Sequence, residues 1–334
     1  MPGLPAQLVD KLVESVPNVS EGRRLDVVER LAAAIEAGDD VHLLDRTSDP
    51  SHNRSVFTLA GPAGSVTQAL ERLVAGAVEG IDMERHTGEH PRIGAVDVVP
   101  FVPLEGATMA DAVEVARWFG HRIADRFEIP VYFYAEAATR PDRAKLAEVR
   151  RGQYEGLKAE IGQRGREPDA GPTRMHPTAG AVAVGARPFL IAYNINLESP
   201  DKELAIRIAR RIRESGGGLP KVQANGFFIE ELNRAQVSMN LLDFRATPIW
   251  RVWEVVRAEA AEDAVELAES ELIGLAPVAA FLEVADHAGT PADAPQEQRL
   301  AAAADFLKLR DFSPLQALEL RLEDARRRAA PRGE

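Results

Sequence analysis

Apolar and polar positions along this chain follow two rhythms that take turns. Short runs rich in β-branched and aromatic residues, several with an apolar residue at every second position, give way to longer runs with apolar residues three and four apart. The first rhythm predicts strands and the second amphipathic helices. In the N-terminal half the pattern predicts a strand over Lys11 to Pro17, a helix from Arg24 to Ala37 ended by Gly38, and strands from Val41 and Ser55. A helix from Ala63 to Gly80, a strand from Ala95, a helix from Met109 to Phe127 and a strand from Pro130 follow. The first six of these run β-α-β-β-α-β. That order recurs in a strand from Pro188, a strongly amphipathic helix from Lys202 to Ser215 closed by three glycines, strands from Lys221 and Ala235, a helix from Ile249 and a strand through Leu267 to Leu275. Only the order of elements repeats; the residues do not. The expected architecture is α+β: two ferredoxin-like α/β sandwich subdomains with a ligand cleft between them. The expected boundaries are 1–178 for the N-terminal subdomain, 179–290 for the C-terminal one and 291–334 for a helical tail, whose charged end ARRRAAPRGE reads as frayed.

Two subdomains suit 334 residues, 45% of them hydrophobic and 28% charged. There is no cysteine, which excludes disulfides, thiolate nucleophiles and cysteine-ligated zinc. No apolar run approaches the ~20 residues that span a bilayer, and the opening MPGLPAQLVDKLVESV lacks a basic stretch followed by an apolar one. A cytoplasmic protein without a membrane partner is expected. The formal net charge is -12, a field that opposes nucleic acid. The arginine clusters at Arg207 to Arg213 and Arg326 to Arg332 have the spacing of solvated helix faces, so no nucleic-acid partner is expected. An acidic chain that takes anionic small molecules must instead set single Arg or Lys side chains in a pocket.

The richest stretch is HTGEHPRIGAVD, His86 to Asp97. His86, Glu89 and His90 spell H-x-x-E-H, a zinc-protease pattern that works only on a helix. Gly88 and Pro91 argue against a helix here, because proline pushes the residue before it into extended backbone. As a functional loop, the segment offers His90 as a proton shuttle near neutral pH, flanked by Glu89 and by Arg92, which suits a bidentate carboxylate pair. Asp97 either orients an imidazole or faces solvent. A second cluster, LLDRTSDPSHNRS, presents Asp49, Asn53 and Arg54 at a strand-turn-strand connection, where the alternative is an ordinary Asx turn. In the third, Gly171 to Gly180, which includes Pro172 and Thr173, open backbone amides and His176 suit an extended planar ligand. Asn194 and Asn196 share one face of a core strand, Lys221 with Gln223 and Asn240 with Leu242 show the same two-residue spacing, and buried amides require partners, structural or from a ligand.

VESVPNVSEGR, LLD with SHNRSVFTLAGP, GEHPRIGAVDVVPF, PVYFYAEA, FLIAYNINL and KVQANGFF with QVSMNLLDF occur in this order from Leu12 to Phe281. In them the chain resembles the glutamate formiminotransferases. The resemblance implies transfer of a formimino group from N-formimino-L-glutamate to tetrahydrofolate, a step of histidine degradation and one-carbon metabolism. It implies folate bound between two α/β subdomains, a homodimer, His90 as general acid/base, and a folate site to which Gly171, Pro172, Thr173, His176 and Gly180 contribute. Asn53, Arg54, Arg92, Asn194, Asn196, Lys221 and Asn240 are then expected to bind substrate, and His90, Glu89 and Asp49 to be catalytic, with no metal. Animal members carry an acidic residue where this chain has Thr47, a place Asp49 would fill. They also continue into a cyclodeaminase domain, so a single activity is expected here. The nearest alternatives are an ATP-dependent 5-formyltetrahydrofolate cyclo-ligase, although no phosphate-binding G-x-x-x-x-G-K-[ST] loop occurs, and a folate binder without catalysis.

Overall fold

A computed structural model describes residues 3–329. The chain divides into two compact units, Met1–Arg187 and Pro188–Glu334. In the first, the elements in chain order are α1 (Ala6–Val9), β1 (Leu12–Ser15), β2 (Asn18–Val19), α2 (Leu25–Glu36), β3 (His42–Asp49), β4 (Arg54–Pro62), α3 (Ala63–Gly80), β5 (Val96–Pro103), α4 (Met109–Phe127), β6 (Val131–Ala135), α5 (Leu146–Val149), α6 (Gln153–Glu160) and β7 (Val182–Ala186). They build one seven-stranded sheet. β1 and β2 are one strand interrupted at Val16 and Pro17, since both lie antiparallel between β4 and β5. β3 flanks β4 on the outside. Up to β5 this is the predicted β-α-β-β-α-β unit. Beyond β5 the sheet continues in parallel through β7 to β6.

β7 lies past the boundary expected at 178. Its five residues are all buried, as befits a parallel strand covered on both faces, so it shows no alternation. The apolar sides of α2, α3 and α4 pack on the sheet face that carries Val13, Val19, Phe57, Leu59 and Phe101. α4 begins with a reciprocal capping box between Thr108 and Asp111. Buried Glu71 on α3 pairs with Arg122 and Arg126 on α4. On the other face, α5 and α6 supply Val149 and Leu157 to a second cluster with Val98, Tyr132, Tyr134 and Ala183. Arg54 and Asn18 sit on this second face, in register with Val56 and Val98.

The second unit comprises β8 (Ile191–Leu197), α7 (Lys202–Ile212), β9 (Val222–Ile229), β10 (Arg234–Leu241), α8 (Ile249–Ala261) and β11 (Leu267–Ile273), then α9 (Val278–His287), α10 (Gln296–Phe306) and α11 (Leu318–Ala329). Its sheet, in the order β11-β8-β10-β9, is antiparallel throughout. Asp201 caps α7 by accepting from the Glu203 and Leu204 N–H groups. α7 buries Leu204, Ala205, Ile208, Ala209 and Ile212. It crosses β9 so closely that a Cβ on Gly226 would lie 2.3 Å from the Ile206 nitrogen. The expected tail joins this unit: the Lys308 carbonyl accepts from Ser270 N–H and Arg310 N–H donates back to Ser270, which lays 308–310 along β11. The first residues of the expected frayed end are helical in α11, and 330–334 lie outside the described residues. No helix among the described residues is long and apolar enough to cross a membrane.

Candidate active site

The turn from β3 to β4 is an Asx turn. Asp49 Oδ1 accepts from the Ser51 and His52 backbone N–H groups at 2.8 and 2.9 Å, and its Oδ2 lies 2.8 Å from His52 Nδ1. Burial works against the Asp49 charge, but these hydrogen bonds hold its carboxyl below the usual range. Asn53 follows in left-handed backbone, φ 48°, a conformation that asparagine tolerates. Its Oδ1 accepts from Gly22 N–H and its Nδ2 donates to the Thr87 carbonyl. Both ends of this buried amide are committed to backbone, so its work is to join three loops rather than to meet a ligand directly. Glu21, also buried, accepts from Arg23 and Arg24 N–H just ahead of α2.

One residue on, Arg54 Nη1 lies 2.9 Å from His90 Nε2 and 3.3 Å from Asn18 Oδ1. The segment 84–95 contains no helix, as Gly88 and Pro91 predicted, which disposes of the zinc-protease pattern. No group of three or more metal-ligating side chains occurs among the described residues. A guanidinium only donates, so His90 Nε2 is an acceptor and the imidazole is neutral with its proton on Nδ1. Burial, then the charges of Arg54 and Arg150, push its pKa down to about 3. Asp97 does not orient an imidazole. It is buried, accepts from Ile93 N–H and pairs with Arg150.

Arg92 is nearly buried and already holds a carboxylate, that of Glu155 at the start of α6, in a two-point pair at 3.0 and 2.8 Å. Its Nε donates to His86 Nδ1, so His86 carries its proton on Nε2, 3.1 Å from the Asn53 carbonyl. Burial lowers the His86 pKa further. His86 is thus a neutral bracket between Arg92 and the β3–β4 turn. An open cavity of about 480 Å³ is lined by His86, Thr87, Gly88, Arg92, Gly152, Gln153 and Glu155. Glu89 is exposed on the rim of this loop, with its N–H on the Ser51 carbonyl.

The third cluster runs beside the second. Gly94 and Gly180 form an antiparallel bridge, Ala95 N–H donates to Ala179, and Ala181 N–H to Ile93. A Cβ on Gly94 would sit 1.9 Å from the Ala181 carbonyl oxygen, so only glycine permits this approach. His176 Nδ1 accepts from Thr178 and Ala179 N–H. Several amides expected to be open are therefore satisfied within the loop, while Gly171 and Thr173 are exposed.

In the second unit, Asn194 and Asn196 lie on the sheet face away from α7. Asn194 Nδ2 donates to Glu271, and fully buried Asn196 bonds to Glu269 and to Gln236. Arg310 ties both carboxylates at 3.2 and 2.5 Å. Half-buried Asn240 shares that face through its register with Ala192. Lys221 is exposed where β9 begins. The first unit thus gathers Asp49, Asn53, Arg54, Glu89, His90 and Arg92, with the 171–180 loop alongside; the second holds Asn194, Asn196, Lys221 and Asn240. Sequence reasoning missed His52, Arg150, Glu155 and Asn18. Only His52 carried a local signal, three residues after Asp49.

Residues 12–187 match the formiminotransferase domain, N-terminal subdomain, and residues 192–320 match the formiminotransferase domain. The chain belongs to the formiminotransferase family. Among curated relatives of this formiminotransferase-family chain, a glutamate formimidoyltransferase of Streptococcus pyogenes serotype M1 is 44% identical over 83% of the chain and 93% of its own length. One from Thermoplasma acidophilum is 48% identical over 83% and 91%. A formimidoyltransferase-cyclodeaminase of Mus musculus is 44% identical over 83% of the chain, but the chain spans only 52% of that protein.

Proposed function

We propose that this chain is a glutamate formimidoyltransferase, moving the formimino group of N-formimino-L-glutamate to N5 of tetrahydrofolate to give 5-formiminotetrahydrofolate and L-glutamate. Family membership supports the reaction. The observation that carries the mechanism is the half-buried, neutral His90, whose Nε2 lone pair meets the Arg54 guanidinium.

As N5 attacks the formimino carbon, a C–N5 bond forms, the C=N pair moves onto the imino nitrogen, and N5 must shed a proton. An uncharged imidazole can take it, an imidazolium cannot. A base with a pKa near 3 is weak until its surroundings change. Both substrates bring carboxylates, and a carboxylate drawn to Arg54 offsets the charge that depresses His90, raising its basicity as the complex forms. Holding both reactants in position supplies much of the remaining rate. Arg92, with Glu155 as its exchangeable partner, is the second cation suited to a substrate carboxylate. Glu89 favours the cationic amidine, and Lys221 meets a carboxylate. The backbone of Gly171, Pro172 and Thr173, with His176 and Gly180, receives the folate ring, and half-buried Asn194 and Asn240 offer amides to substrate. Asn196, expected to do the same, is fully buried with its amide held by Glu269 and Gln236 and serves instead to order that face of the sheet. Asn53 acts by holding Arg54 and the Thr87 loop in place. We read the protein as a cytoplasmic homodimer that uses neither nucleic acid nor membrane.

A coupled assay with tetrahydrofolate and N-formimino-L-glutamate tests the reading. Turnover independent of ATP, lost in His90→Ala with folate binding retained, is expected. No turnover by the wild type would overturn it.

A further inference from the structure

His52 belongs to none of the roles above, yet it is built like a proton-transfer group. Its Nδ1 lies 2.8 Å from Asp49 Oδ2, and the same carboxylate fixes its backbone N–H through Oδ1. This contact sets the ring's orientation and makes Nδ1 the protonated nitrogen, which leaves Nε2 for chemistry. The side chain is nearly half exposed, so the ring is accessible to a reactant. Its ring centroid stands 6.4 Å from that of His90, at 63°.

The two imidazoles sit in opposite fields. Arg54 and Arg150 surround His90, where a proton once accepted is poorly held. His52 instead has the Asp49 carboxylate, not a guanidinium, against its ring. Asp49, expected among the catalytic residues, has His52 as its side-chain partner in the structure. A reaction that takes a proton from one nitrogen and returns one to another needs both kinds of site.

We propose that His52, positioned by Asp49, is the proton donor to the departing glutamate nitrogen, while His90 is the acceptor for the N5 proton. The inference rests on the transferase reading given above. As the tetrahedral intermediate collapses, the lone pair on the imino nitrogen re-forms the C=N bond, the bond between carbon and glutamate nitrogen breaks with its electron pair leaving on that nitrogen, and His52, carrying a second proton on Nε2, supplies it to make a neutral amine. His90 has gained one proton and His52 has lost one. Transfer from the first to the second, across the short gap or through water, restores both, and the cycle consumes no proton.

The test uses the full-length chain with tetrahydrofolate and N-formimino-L-glutamate. His52→Gln is expected to lower kcat by ~100-fold or more, the usual worth of a positioned acid, with both KM values within about threefold. Asp49→Asn keeps the Oδ1 that accepts the two turn N–H groups but removes the charge, and is expected to lower kcat in the same way. It also serves if His52→Gln does not fold. In His52→Ala, added imidazole is expected to restore activity at least tenfold, because the site is open to solvent. Unchanged kcat in His52→Gln, or a loss that imidazole does not relieve, would overturn the assignment. A wild type without turnover would sink the transferase reading itself, and is distinguishable because it appears before any substitution is made.

Discussion

Because His90 is held neutral by burial and by two neighbouring guanidiniums, it should make the first unit lose stability in acid in a way that one substitution removes. In the unfolded chain its imidazole titrates near the ordinary 6.5, and in the fold near 3. Below pH 6.5 the unfolded state binds a proton that the folded state does not, so stability falls as pH drops through this window and is fully present only above it. From pH 7 to pH 5 the unfolded imidazole goes from about one-quarter to almost fully protonated, which costs the fold about 2 kcal/mol, or nearer 1 after allowing for partial solvent access. Glutamine in its place accepts from Arg54 but does not titrate. Urea unfolding of wild type and His90→Gln at the two pH values isolates the difference, followed in a Trp250→Phe, Trp253→Phe background that leaves Trp118 of the first unit as the reporter. The wild type should lose about 1–2 kcal/mol more than the variant. Equal losses would refute the claim that His90 is neutral in the fold.

Three other substitutions probe the same construction. Arg54→Gln removes the nearest cation from His90, so the imidazole should titrate closer to 6.5 by NMR; an unmoved titration would mean that Arg54 does not set its charge state. Gly94→Ala forces a methyl against the Ala181 carbonyl and should cost at least about 3 kcal/mol in urea unfolding, whereas a loss below about 1 would show that the two loops can part freely. Asn53→Ala strips two backbone hydrogen bonds and puts a less tolerant residue in left-handed backbone. It should cost about 2–4 kcal/mol by the same measurement, and a near-neutral result would contradict its loop-joining role.

Both β-α-β-β-α-β orders could be read along the chain because their strands are rich in β-branched and aromatic residues and are separated by helices of clear 3.6-residue period. AQVSMNLLDF alternates visibly since β10 turns Val237 and Met239 to one face of the sheet and the polar Gln236 and Ser238 to the other. β7 could not be read that way: Val182–Ala186 is buried on both faces and begins two residues after a glycine-rich loop that suggested a break. α5 and α6 were invisible for a different reason, being short and polar, and with them went Glu155 and Arg150. The polar pairs of the site divide in the same manner. Asp49 with His52 is three residues apart and accessible to turn chemistry, which identified the Asx turn but not the imidazole partner. Arg92 with Glu155, Asp97 with Arg150 and Arg54 with His90 join residues 36 to 63 apart in sequence. Such pairs follow from the topology that brings β4, β5 and α6 together, not from any local pattern.

The most direct test of the account is the rate of 5-formiminotetrahydrofolate formation from tetrahydrofolate and N-formimino-L-glutamate by wild type and His90→Ala, with folate binding measured in parallel. Turnover by the wild type is expected, with a loss of ~100-fold or more in the variant at nearly unchanged folate affinity. Equal turnover by both proteins would contradict the role given to His90.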